Sequence, residues 1–254
     1  MLPADWTQWI RADYHGTPFI NFGQRHLVSL AIIVLFGWCM MRFRGADEAT
    51  RRRVRYALAT VLVVNELSWH AWAYHYVGWT LDKMLPLHIC SVLVWVGAYG
   101  LVTLNPFIYE FMYFMGIAGP LQAVLTPDAG QYGLPHFRAV QTLVAHGLLI
   151  IAAIYLTRVE GMRPTPASIR RVILGTLAYM VFVTLVNVAV GGDYMWTLSK
   201  PATGSLLDVL GPWPWYLVPM ILLGILNVLL LYIPFWWADR RRAAAAATTS
   251  TGAP

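Results

Sequence analysis

The side chains that could do chemistry sit in apolar surroundings. Glu66 and His70 stand four residues apart in one apolar stretch, His88 and Cys90 two apart in the next, and His146 alone in a third. A spacing of four puts Glu66 and His70 on one helix face, where the carboxylate can orient the imidazole. His88 and Cys90 point about 200° apart on a helix, so both cannot face one pocket directly. A thiol becomes a nucleophile when an imidazole takes its proton in a partly desolvated site, and that pairing serves acyl transfer through a thioester. His146 is the candidate base for Cys90, with His70 and Glu66 as orienting and stabilising groups. Each has a blander reading: Cys90 as a small buried hydrophobe, a lone histidine as a packing residue, and Glu66 with His70 as a tie between helices. His26 and His75 fall at helix ends, where an interfacial role suffices.

The elements that position these residues are long apolar segments. Of 254 residues 58% are hydrophobic and 12% charged, about half the charged fraction of an ordinary soluble domain. Seven stretches, 27–43, 56–76, 85–104, 107–125, 138–157, 170–190 and 215–237, approach the roughly 20 residues that cross a hydrocarbon core. Asn105 and Pro106 separate the third from the fourth, which predicts a helical hairpin. The fold class expected is all-α: a polytopic bundle of seven transmembrane helices spanning 25–239. Residues 1–24, with Trp6, Trp9 and Ile10 at helical spacing, predict an amphipathic segment on the outer surface. Residues 240–254, mainly Ala, Thr and Ser, predict a disordered cytoplasmic tail. No cleavable signal peptide is expected.

Basic residues set the orientation. Of 18 Lys and Arg, six lie at 42–55, four at 158–171 and three at 240–242. With seven spans these fall on one side, so the positive-inside rule places the N-terminus outside and the C-terminus in the cytoplasm. The net charge of +6 is then a topology signal, and nucleic acid is excluded as a partner. On this topology Cys90, His70 and His146 lie roughly 8 to 12 Å below the outer surface, with Glu66 deeper, and Cys90 and His146 should face a common outward-opening cavity. Cys39 lies near the opposite face and cannot pair with Cys90.

A long segment between the last two spans, 191–216, predicts a functional outer loop. Asp193, Tyr194, Lys200, Trp213, Trp215 and Tyr216 in it, with His88, Asn187 at the end of the preceding span and Asp128 on the same side, are candidate substrate-binding residues. Lys200 could meet a lipid phosphate. Intramembrane ionisable groups mark ion paths as readily as catalytic sites. A proton-coupled transporter using Glu66, His70 and His146 as a relay therefore stays open, as do a bis-histidine haem carrier and a non-catalytic sensor or assembly factor.

The strings LPLHIC at 85–90, LTPD at 125–128 and DYMWTLSKPATGSLLDVLGPWPWY at 193–216 resemble the YwaF-type family of bacterial integral membrane proteins, although that last string usually begins with Asn where this chain has Asp193. The family is similar to vertebrate membrane acyltransferases that move a fatty acyl chain from a phospholipid to a lysophospholipid through a cysteine. The resemblance implies that Cys90 matches that cysteine, that the substrates are phospholipid and lysophospholipid, and that the protein resides in the bacterial cytoplasmic membrane. This chemistry needs no metal or cofactor. An oxyanion donor is required, and the sequence identifies none.

Overall fold

In lipid, helices gain little from burying apolar faces against one another, so close packing of small residues and polar ties must hold a bundle together. The computed structural model shows both. It describes residues 6–127, 129–201 and 206–250. Among these there are seven α-helices and no strand: α1 (Gln24–Met41), α2 (Glu48–Tyr76), α3 (Ile89–Thr103), α4 (Pro106–Leu125), α5 (Phe137–Arg158), α6 (Pro166–Val190) and α7 (Leu217–Ser250).

The centre is α5, which packs on α1, α2, α3 and α4. Its Ala139, Ala145, Gly147, Ala152 and Ala153 are buried and let neighbouring backbones approach. In contrast α1 buries only His26, and α6 and α7 keep most of their apolar surface exposed. Side chains reach across to main-chain groups between helices. Asn65 of α2 donates to Gln141 O of α5 (3.2 Å), Tyr113 of α4 to Leu231 O of α7 (3.0 Å), and the His26 ring bonds Val124 O at the end of α4 (2.8 Å). Arg171 of α6 grips Glu110 of α4 with two bonds of 2.8 and 2.5 Å.

The hairpin at Asn105-Pro106 forms as its residues dictate. Leu104 ends α3 in the left-handed region (φ 55°), and the Asn105 side chain then accepts from Phe107 and Ile108 N to cap α4, with Pro106 at its first position.

Among the described residues five helices are long and apolar enough to cross a membrane: those spanning Gln24–Gly45, Pro106–Leu125, Phe137–Arg158, Pro166–Val190 and Leu217–Ala245. The sequence predicted seven. In α2 the apolar run is interrupted by Asn65, Glu66, His70 and His75, after an arginine-rich start. At 15 residues, α3 is about 22 Å long, short of a hydrocarbon core of roughly 30 Å.

Contacts gather the basic clusters at one end. Arg55 pairs with Glu160 after α5 (3.3 Å), and Arg163 pairs with Asp239 of α7 (2.8 Å). The opposite end holds the remaining loops. There the segment before α1 forms a short 3-10 turn, Trp6–Trp9, and docks on the protein: Trp72 donates to Ile10 O, the His136 ring bonds Arg11 O (3.0 Å), and Tyr132 donates to Ala12 O (3.2 Å). Residues 1–5 of the predicted amphipathic segment lie outside the described residues. At the other terminus α7 stays helical to Ser250, in a stretch expected to lack structure; Ala243 to Ala247 are the strongest helix formers. Residues 251–254 lie outside the described residues.

Candidate functional site

Cys90 is the second residue of α3, half-buried and packed against the central apolar cluster. Its Sγ faces Gly119 of α4, where an added Cβ would come within 3.5 Å of the sulfur. The helix begins at Ile89 and not at residue 85 because the preceding backbone is held elsewhere. Leu85 N donates to Tyr194 Oη (2.8 Å), and Leu87 O accepts from Tyr179 (2.9 Å). His88 occupies the N-cap position but gives no side-chain cap. The backbone N–H groups of Ile89, Cys90 and Ser91 consequently have no acceptor among the described residues, and they end the helix whose dipole is positive there.

One carboxylate borders the thiol. Glu66 is 4% exposed, lies within electrostatic reach of Cys90 and faces Ser91. Its Oε1 has no hydrogen-bond partner and lies 3.7 Å from His70 Nε2, too long for a hydrogen bond. Arg138, at the start of α5, acts electrostatically on both Glu66 and His146. Its guanidinium stacks on Trp69 (3.7 Å) and donates to Gln141 Oε1 (2.6 Å). The sequence did not mark Arg138 as part of the site, because Trp69 and Glu66 lie on another helix and no spacing signals them.

Hydrogen bonds sort the candidate bases by tautomer. His70 Nδ1 accepts from Trp79 Nε1 (3.2 Å), and His88 Nδ1 accepts from Met195 N (3.2 Å); in the neutral rings the proton is then on Nε2. His146 is the reverse. Its Nδ1 lies 2.8 Å from Thr142 O, and because a carbonyl only accepts, Nδ1 carries the proton and the lone pair remains on Nε2. Of these three, His146 alone has an uncommitted basic nitrogen. No hydrogen bond joins His146 to Cys90.

The outer loop spends its polar groups on itself. Asn187 is fully buried. It accepts from Tyr194 N (2.9 Å) and donates to Tyr194 O (2.8 Å) and Thr197 Oγ1 (3.0 Å). Asp193 accepts from Leu198 N (2.9 Å) and Ser199 N (3.0 Å), two bonds that an Asn carbonyl could supply only in part. Tyr194 donates to Leu81 O (2.7 Å), and the Tyr216 hydroxyl lies against Trp196 O and Ser199 O. Met195 (φ 58°) and Trp196 (φ 51°) are left-handed, a strain of about 1–3 kcal/mol each that this grip sustains. Asn187, Asp193, Tyr194, Tyr216 and His88, expected to bind substrate, therefore build the loop and tie it to the start of α3. Lys200 sits over the Tyr216 ring (5.6 Å) and Trp213 donates to Thr197 O (3.2 Å), whereas Trp215 is 70% exposed. Asp128 lies outside the described residues. We expect Asn187→Ala to leave Tyr194 N and O unpaired, at about 1–3 kcal/mol for each buried group. The measurement is thermal unfolding in detergent together with protease cleavage in the 194–199 turn, which should become fast; an unchanged cleavage rate would disprove the clamp.

The TMEM164 family matches residues 21–232, a span that includes Cys90, Glu66, His146 and the outer loop. The chain belongs to the TMEM164 family. This is a transmembrane family, and with several apolar helices in the fold the chain is a multi-pass membrane protein. No curated protein and no solved structure matches it.

Proposed function

We propose that this TMEM164-family protein is a phospholipid acyltransferase, or transacylase, that carries a fatty acyl chain from a phospholipid to a lysolipid as a Cys90 thioester. The observation that carries this reading is the seat of Cys90 in the uncapped first turn of α3. His146 Nε2 takes the thiol proton; the thiolate attacks the ester carbonyl of the donor, and the imidazolium returns the proton to the departing lysolipid alkoxide. The acceptor hydroxyl then loses its proton to His146 and attacks the thioester, and the thiolate is regenerated. In both halves the N–H groups of Cys90 and Ser91 are the oxyanion donors, the role for which the sequence supplied no residue. The N-terminus of α3 stabilises negative charge on sulfur. The hydrogen bond from Nδ1 to Thr142 O holds the imidazole with Nε2 toward its work, the orienting device of other nucleophile–histidine pairs. His146 and Cys90 close to bonding distance with substrate in place, as catalytic hydrogen bonds commonly do.

In this reading the bundle crosses the bacterial cytoplasmic membrane seven times, α2 and α3 being carried by their neighbours, with the N-terminus outside. Support comes from the arginine clusters meeting at one end. Reporter fusions after Arg53, Arg163 and Arg242 should report cytoplasm and a fusion at Asp128 the outside; the same side for Asp128 and Arg163 would refute the topology.

Incubation with a phospholipid carrying a labelled acyl chain should leave a label on the protein that neutral hydroxylamine releases. His146→Ala should slow acylation by roughly a hundred- to ten-thousand-fold, the usual loss for a general base; an unchanged rate would remove His146 from the mechanism. One observation favours a second reading. The orphaned Glu66 Oε1 beside His70 also suits a proton-coupled transporter, which would tolerate Cys90→Ser and lose proton-coupled transport in Glu66→Gln.

A further inference from the structure

A wholly apolar groove of about 420 Å³ lies between α1, α2 and α5, lined among others by Phe36, Met40, Ala57, Val61, Gly147 and Ile151. Neither Cys90 nor His146 lines it. From Ile32 it follows α1 for about 12 Å to Met40 and reaches Phe43 in the turn beyond, so it extends close to the depth of one leaflet, half of roughly 30 Å. That shape suits a single extended hydrocarbon chain.

One end of the groove, at Met40, Phe43 and Val54, adjoins the turn between α1 and α2. Ion pairs at this end use Arg51, Arg55 and Arg163. Arg42, Arg44, Arg52 and Arg53 are exposed and have no acidic partner among the described residues. Arg44 and Arg53 belong to the two segments that adjoin this end, next in sequence to the lining residues Phe43 and Val54. An apolar slot one leaflet deep with cations at its headgroup end is complementary to one class of molecule.

We infer that the groove between α1, α2 and α5 binds an anionic phospholipid, one acyl chain in the slot and the phosphate between Arg44 and Arg53. This inference does not rest on acyl transfer and is tested without it. The full-length protein is placed in phosphatidylcholine nanodiscs holding a trace of phosphatidylglycerol with a diazirine near the end of one acyl chain, irradiated, and its labelled peptides are mapped. Labels should concentrate on groove residues of α1, α2 and α5. Unlabelled phosphatidylglycerol should compete far better than additional phosphatidylcholine. Arg44→Glu with Arg53→Glu should reduce that preference by roughly tenfold or more, since each arginine at an anionic lipid surface contributes several-fold. Ala57→Phe should empty the groove of label and leave labelling of α6 and α7 unchanged; Val61→Phe, at a position already 48% exposed, tests the same point if the first variant misfolds. Labels spread evenly over every lipid-facing helix and indifferent to both fillers would mean annular lipid only and would overturn the proposal. A dimer in native mass spectrometry that Ala57→Phe dissociates would assign the groove to a second copy, and would overturn it equally.

Discussion

Cys90→Ser protein, incubated with a phospholipid bearing a labelled acyl chain, is expected to retain no label that neutral hydroxylamine can release. The effect is all or none, because the variant lacks the atom that forms the thioester, whereas loss of a base only slows the step. A serine hydroxyl at the same place stays mostly protonated and is a poor nucleophile without a strong activating base. Any residual ester would also resist neutral hydroxylamine, which cleaves thioesters far more readily than oxygen esters. Cys39→Ala is the control. Cys39 lies in the last turn of α1, next to the arginine-rich end, while Cys90 starts α3 beside the outer loop, so its removal should leave labelling intact. Label lost in Cys39→Ala and kept in Cys90→Ala would put the chemistry at the wrong end of the bundle. Full transport activity in Cys90→Ser, with no acylation of the wild type, would establish the carrier reading.

A large effect on stability is expected at Arg55. Its side chain and that of Glu160 are each 4% exposed, with Nε 3.3 Å from Oε1; the two are near enough to pair, although both atoms lack an aligned hydrogen bond. Arg55 also donates to Glu48 (2.9 Å), and Tyr155 of α5 donates to Arg51 O nearby (3.3 Å), so this corner joins α2 to the turn after α5. Arg55→Ala leaves the Glu160 carboxylate buried without its close partner, with only Arg51 still in electrostatic reach; removing one member of a buried pair costs about 3–5 kcal/mol. Denaturant unfolding in detergent micelles should show that loss. The double variant Arg55→Met, Glu160→Met should recover most of it, because the desolvation cost of both charges disappears together. Glu48→Ala should cost far less, since Glu48 is 55% exposed and water screens it. Equal losses in Arg55→Ala and Glu48→Ala would show that burial does not set the strength of this corner.

Along a single chain, hydropathy, charge clusters and turn chemistry are local signals, and they determined what local signals can. Helix positions in the bundle, the hairpin at Asn105-Pro106 and the grouping of the arginines follow from them, because apolar length and a capping asparagine act over a few residues. Pro86 was a further local signal, disfavouring helix at Leu85, that could have moved the predicted start of the third helix toward Ile89. The full displacement to Ile89 was decided by Tyr194 and Tyr179, about a hundred residues away in sequence, and with it came the position of Cys90 in a first turn with unclaimed N–H groups. The histidines divide the same way. Glu66 and His70 share a helix face by spacing alone, but which ring nitrogen holds a proton depends on Trp79, Met195 and Thr142 as partners, two of them off the histidine's own helix. Asn187 at the end of α6 and the loop residues Asp193 and Tyr194 read as ligand-binding groups in sequence because polar atoms in or beside an aromatic loop look available. Only the folded loop shows them already satisfied, since a buried polar atom takes whatever partner the tertiary structure brings within 3 Å or so, and sequence carries no record of that distance.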